Sequence, residues 1–239
     1  MWLKMTTNYS PNFSLPKRSK NQIKFIILHY TGMKKETLAI KKLCNSNSKV
    51  SAHYFIKNNG KLLNFVPDLY EAWHAGKSSW KTYKFLNKYS IGVEINNTGH
   101  NHGYRKFKKK QIFTLNKLLR YLIEKYNINY KNILGHSDIA PDRKKDPGEK
   151  FPWKELARKK LCFWHDLKEK KIEKFRNLKL TPKEEHKFIL YLHKIGYKKI
   201  NRNNRLSVIK NFQRRFRQNL INGKIDKECL LISKSLIKS

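Results

Sequence analysis

The 239-residue chain carries 54 Lys and Arg against 17 Asp and Glu, a formal net charge of +37, while 39% of its residues are hydrophobic. That apolar share excludes a disordered tail and supports one main cored domain with a small second one. No stretch approaches the ~20 apolar residues of a membrane span. Cys44, Cys162 and Cys229 are scattered, which excludes a disulfide framework and a Cys-x-x-Cys metal site.

The charge favours polyanions such as nucleic acid, anionic lipid or an acidic cell-wall polymer. The basic residues, however, are spread along the chain and not gathered on one segment. Compositional drift accounts for the excess as well, and no specific nucleic-acid site is expected. The first twenty residues lack the apolar core of a secretory signal and contain no lipid-bearing cysteine, so a cytoplasmic start is the default reading.

In chain order, residues 1–22 read as an irregular lead-in. Residues 23–29 form a nearly continuous apolar run that fits a buried strand. Residues 51–57 and 61–66 flank Asn58-Asn59-Gly60, a hairpin signal. Residues 90–96 (SIGVEIN) and 132–136 (NILGH) read as further strands. Between them Ile112, Leu115, Leu119, Leu122, Ile123 and Tyr126 repeat at helical spacing, with a stop near Asn127. Strands alternating with helices imply an α/β fold, a mixed central sheet flanked by helices.

Residues 165–179 carry too much charge for core and read as a linker. Thr181-Pro182-Lys183-Glu184 then opens a helix with a capping box and proline at its first position. Its apolar face is Phe188, Leu192 and Ile195, and Gly196 stops it. Two more short helices, over LSVIKNFQRRF and after Asp226, complete a small three-helix unit. The domain reading is therefore 1–176 and 177–239.

His29 at the end of FIILHYTG, with His136 and Asp146 in GHSDIAPDRKKDPG, form the most informative pattern. Two imidazoles and a carboxylate suit a catalytic zinc, because three protein ligands leave a fourth tetrahedral position open for water. A structural zinc would be closed by a fourth Cys or His, and none suitable lies nearby. Such a site needs a general base and an oxyanion partner. Glu94 fits the first role, as an acidic residue inward on an apolar strand; a buried Lys or Arg partner is the alternative. Lys144, two residues before Asp146, fits the second, or is one more solvated lysine. His53 and His74 could be ligands or hydrogen-bonded core residues. Trp73 could stack on a sugar ring or pack in the core. His100, His102, His165, His186 and His193 have no supporting context and read as surface.

FIILHYTG, VSAHYFIKNNGKL, AWHAGKSSW, SIGVEINN, GHSDIAPDRKKDPG and FPW, in that order, resemble zinc-dependent N-acetylmuramoyl-L-alanine amidases of the type 2 family, over residues 10–165. The resemblance implies the amidase 2 fold shared with peptidoglycan recognition proteins. It also implies one Zn²⁺ per chain on His29, His136 and Asp146, Glu94 as catalytic base and Lys144 as transition-state stabiliser. His53 matches a family histidine that is not a ligand. Trp73, His74 and Tyr30 are candidate substrate contacts. NFQRRFRQNLINGKIDKECLLI is similar to a small peptidoglycan-binding module, matched at Phe212, Gln213, Phe216, Gly223 and Asp226. The implied activity is hydrolysis of the amide between the lactyl group of N-acetylmuramic acid and L-alanine, by a monomer acting on peptidoglycan or muropeptides. A non-catalytic recognition protein on the same fold is the alternative. The pairing with a wall-binding unit implies the envelope-associated branch, from which the missing signal and lipid-attachment cysteine depart.

Overall fold

The computed structural model describes residues 4–198 and 200–238. Residues 1–3 of the lead-in, and residues 199 and 239 of the C-terminal unit, lie outside them. The strands are β1 (Met5–Thr7), β2 (Phe13–Ser14), β3 (Phe25–Tyr30), β4 (Tyr54–Ile56), β5 (Leu62–Asn64), β6 (Glu71–Ala72), β7 (Ser79–Trp80), β8 (Tyr83–Lys84), β9 (Ser90–Ile95) and β10 (Ile133–Gly135). The helices are α1 (Glu36–Cys44), α2 (Lys109–Tyr126), α3 (His136–Ile139), α4 (Trp153–Arg158), α5 (Glu169–Ile172), α6 (Pro182–Ile195), α7 (Arg205–Phe216) and α8 (Lys227–Leu236).

The main sheet runs β1-β5-β4-β9-β3-β10. Neighbours are parallel at β4–β9, β9–β3, β3–β10 and β1–β5, and antiparallel only in the β4–β5 hairpin. This is the mixed sheet the alternation implied. The lead-in is more ordered than the sequence suggested, because Met5–Thr7 pairs along β5 and Phe13–Ser14 pairs with β6. Segments this short carry no readable alternation; tertiary pairing makes them strands.

Side chains alternate across a strand, so each face receives every second residue. Ile26 and Leu28 of β3 join Ile91, Val93 and Ile95 of β9 beneath α2, which lays down Ile112, Leu115, Leu118, Leu119 and Leu122. α2 ends where Asn127 takes the left-handed conformation at φ 49°. The opposite face is divided. α1 covers Phe55 and Leu63 with Ala39 and Leu43. The C-terminal helices cover Phe25, Ile27 and Leu134 with Phe188, Phe212, Ile232 and their neighbours. Between these two clusters a strip of the sheet stays open, and His29 and Glu94, paired in register, lie along it.

The C-terminal unit has its three helices, with Thr181 capping α6 by accepting the Glu184 N–H. The stretch read as a linker is instead partly folded onto the body. α5 buries Ile172, and His165 is 5% exposed. A single inward apolar residue in a charged segment is too weak a periodic signal to read from sequence. His165, read as surface, is therefore a correction; its ring stacks on Trp164 at 5.1 Å.

His53 is fully buried, with Nδ1 accepting the Gly92 N–H at 2.9 Å and Nε2 donating to the Tyr70 carbonyl at 3.0 Å. Burial, reinforced by the Arg18 guanidinium, pushes its pKa from 6.5 down to about 3. The unfolded chain takes up this proton where the folded one does not. Stability is complete above the unfolded value and falls as pH drops below it. Between pH 6.5 and about 5 this single group should remove roughly 1.5 kcal/mol. Urea titrations at the two pH values should show a smaller loss in His53→Asn, whose side-chain oxygen can still accept the Gly92 N–H. Equal losses in both proteins would refute the assignment.

Candidate active site

Strands β3, β9 and β10 run parallel, and the site lies at their carboxyl ends, where α/β sheets place ligands. His29 is the penultimate residue of β3, Glu94 that of β9, and His136 follows β10 directly. Asp146 arrives on the loop after α3, tied down by the Ser137 N–H donating to its carbonyl at 2.9 Å. All three candidate ligands are buried.

Their donor atoms converge. His29 Nδ1 lies 2.9 Å from His136 Nδ1 and 3.1 Å from Asp146 Oδ2, and the latter two are 3.0 Å apart. Among the described residues this is the one cluster of His, Cys, Asp or Glu that could hold a metal ion. The protons are committed elsewhere. His136 Nε2 donates to the Ala75 carbonyl at 3.3 Å. His29 Nε2 donates to His74 Nδ1 at 3.0 Å, and His74 Nε2 donates to Ser90 Oγ at 3.2 Å. Ser90 closes the chain by donating to the Leu86 carbonyl. These tautomers leave lone pairs on both Nδ1 atoms facing a carboxylate oxygen, an arrangement that a divalent cation relieves. Burial, with His136 nearby, pushes His29 down to about 4, so the imidazole is neutral as a ligand must be.

His74 thus orients a candidate ligand, and it also borders the cavity. Gly92 makes room for it: a Cβ there would meet the His74 ring at 2.3 Å. Ser90, Leu86 and Ala75 were invisible to sequence reasoning, since backbone carbonyls and a lone serine carry no motif. Replacing His74 by Ala should weaken divalent-metal affinity about 10–100-fold, a typical cost of losing such a partner. Competition with a chromophoric chelator would measure it, and unchanged affinity would remove this role.

Glu94 and Lys144 both border the same cavity of about 580 Å³, along with Tyr30, Trp73 and His100. Among the described residues the glutamate forms no ion pair with a Lys or Arg, and its Oε2 is buried and makes no hydrogen bond. Burial, then the neighbouring Asp146, pushes its pKa up to about 8. The Tyr30 hydroxyl is 2.8 Å from His100 Nδ1, whose Nε2 is 3.0 Å from Glu149. His100, read as surface, is therefore a wall of the cavity. Trp73 is half-buried and donates its indole N–H to Ser14 Oγ at 2.8 Å. His102 is exposed in a short turn.

The five residues matched to a wall-binding pattern sit inside the C-terminal unit. Phe212, Gln213, Phe216 and Asp226 are each at most 2% exposed. Gln213 donates to Asn222 and the Lys224 carbonyl and accepts from the Gly223 N–H, while Asp226 caps α8. They are the frame of that unit, and a polymer touching it would meet other side chains.

Sheet, donor cluster and unpartnered carboxylate define a hydrolase whose His–His–Asp set could hold a metal. The family described as N-acetylmuramoyl-L-alanine amidase matches residues 19–149. The chain is 32% identical over 232 residues to the N-acetylmuramoyl-L-alanine amidase AmiD of Escherichia coli K12, covering 91% of this chain and 83% of that one. It is similar to the solved complex of E. coli AmiD with anhydro-N-acetylmuramic acid-L-Ala-D-gamma-Glu-L-Lys, at TM-score 0.80 and 30% identity over 94% of this chain and 92% of the other. AmpDh3 from Pseudomonas aeruginosa with anhydromuramic pentapeptide gives TM-score 0.81 and 28% identity, over 95% and 96%. The chain belongs to the N-acetylmuramoyl-L-alanine amidase family.

Proposed function

We propose that this protein is a zinc amidase that hydrolyses the amide between the muramic lactyl group and L-alanine, releasing the stem peptide. The observation that carries it is the cavity itself, where three lone-pair donors face one another beside an unpartnered glutamate. His29 Nδ1, His136 Nδ1 and Asp146 Oδ2 would hold the ion. Zinc bound there supplies Lewis acidity toward the carbonyl and acidifies water to a pKa of about 7.

The residues of the chain do the rest. With a divalent cation's charge beside it Glu94 would be ionised, and it takes a proton from the attacking water and returns it to the departing amine. The Lys144 ammonium, at the same cavity, faces the charge that develops on the carbonyl oxygen. Water adds across the amide, so the lactyl side leaves as a carboxylate and L-alanine as an ammonium. Trp73 and Tyr30 border the space the sugar and stem would occupy.

The protein is read as acting as a monomer. The C-terminal unit, 177–239, is read as a holder of wall polymer, and the cell envelope as the place of action. Among the described residues no helix is long and apolar enough to cross a membrane. Digestion of peptidoglycan and of anhydromuramoyl-tripeptide, with and without chelator, tests the activity by mass spectrometry. Zinc-restorable release of peptides beginning at L-alanine is expected. Binding without cleavage by zinc-loaded protein would remove the catalytic roles of Glu94 and Lys144.

A further inference from the structure

A second cleft, of about 850 Å³, lies beside the catalytic cavity, between α2, residues 149–152 and residues 218–219 of the C-terminal unit. The two spaces share a wall, because His100 borders the first, Glu149 borders the second, and the pair is joined at 3.0 Å. Phe107 and Phe151, packed at 5.2 Å, contribute to its lining.

Asn116 lines the cleft at 9% exposure, and its buried Oδ1 accepts no hydrogen bond. A buried amide oxygen without a donor is costly, and a turn of this side chain toward a ligand's donor would relieve that cost. Phe113 stands at the rim 61% exposed, with the Lys117 ammonium against its ring at 4.4 Å. The cleft's acidic residues are already compensated, Glu149 by His100 and Arg214 and Glu155 by Lys159. Lys106 and Lys109 are exposed there and join no ion pair among the described residues. The net field is positive, over an apolar floor with one waiting acceptor.

We propose that this cleft binds a stretch of glycan strand whose lactyl groups have already been freed as carboxylates, the polymeric product of the reaction proposed above. Before hydrolysis each lactyl group is tied up in a neutral amide. Afterwards each muramic residue carries an anion that matches Lys106 and Lys109. An acetamido N–H or a ring hydroxyl supplies the donor Asn116 needs, and the C–H face of a pyranose covers Phe113. The shared wall keeps the strand next to the cavity, so one cleavage prepares the hold for the next. The identity of the sugar rests on the proposed amidase activity; the anion, donor and aromatic features of the cleft do not.

Calorimetry tests this with two probes, peptide-free N-acetylglucosaminyl-N-acetylmuramic acid tetrasaccharide and neutral tetra-N-acetylchitotetraose. The acidic tetrasaccharide should bind at least about tenfold more tightly than its neutral twin, and Phe113→Ala and Lys106→Glu/Lys109→Glu should each lower that affinity about tenfold. Both variants should hydrolyse the soluble anhydromuramoyl-tripeptide at the wild-type rate. Equal binding of the two sugars, or unchanged affinity in both variants, would overturn the cleft proposal while leaving the amidase intact. Tetrasaccharide binding that the variants weaken, in zinc-loaded protein that cleaves no muropeptide, would instead sustain the cleft and sink the catalytic reading.

Discussion

Glu94→Gln should lower turnover of anhydromuramoyl-tripeptide by about 10²–10⁴-fold, the range removed with a general acid–base group. The substitution keeps the shape of the side chain and takes away only its capacity to accept a proton. The three donor atoms are His29 Nδ1, His136 Nδ1 and Asp146 Oδ2, and Glu94 is not among them. Zinc content, measured by atomic absorption after gel filtration, should therefore stay at one ion per chain. This is a separable signature, since loss of activity with loss of zinc would point to a damaged site. Near-normal turnover in the zinc-loaded variant would assign the proton transfers to another group.

Arg215→Met should destabilise the protein by about 3–5 kcal/mol, the usual result of leaving one member of a buried ion pair alone. Arg215 is 2% exposed and pairs with Asp138, itself 1% exposed. Its guanidinium also donates to the Ile133 carbonyl at 3.1 Å and lies over Trp153 and Phe163, with centroids at 4.1 and 4.4 Å. Asp138 in turn accepts from the Gly135 N–H at 2.7 Å and the Tyr197 hydroxyl at 3.1 Å. Methionine fills much of the volume but leaves the Asp138 charge buried without its counter-ion. Asp138 stands two residues after His136 in the same short helix α3, so metal affinity should fall together with stability. Urea midpoints report the first effect and chelator competition the second. Arg215→Met/Asp138→Asn should recover part of the stability, because the stranded charge is gone. A loss under 1 kcal/mol in the single variant, typical of an exposed pair, would show that the contact contributes little.

This pair also explains why the C-terminal helices are more than an appendage in the fold. Arg215 in α7 and Tyr197 after α6 both reach the first turn following β10. At Gly196, φ 142°, a Cβ would strike the Trp80 ring at 2.3 Å. The chain can turn there against the body only because the side chain is missing.

Much of this protein was written locally. The apolar run ending at His29, the NNG hairpin, the helical repeat of α2 and the Thr181 cap are short-range patterns, and backbone propensity with side-chain period settles such elements. The candidate ligand set was legible too, because His29 and His136 sit at strand ends and Asp146 on the loop that follows, within distinctive local strings. An acidic residue in SIGVEIN was conspicuous for the same reason: apolar strands rarely carry a charge without a task. What the tertiary structure decided was pairing at long range. The lead-in became strands because β5 and β6 offered edges, and the charged segment at 165–179 folded down around Ile172. Only three-dimensional packing showed that a His74–Ser90 chain engages the far nitrogen of His29, or that Glu94 Oε2 is buried without a hydrogen bond. The same holds for Arg215, one of 54 basic residues, whose acidic partner lies 77 positions away. Contact between distant residues is set by how faces pack, and no local period in the chain encodes it.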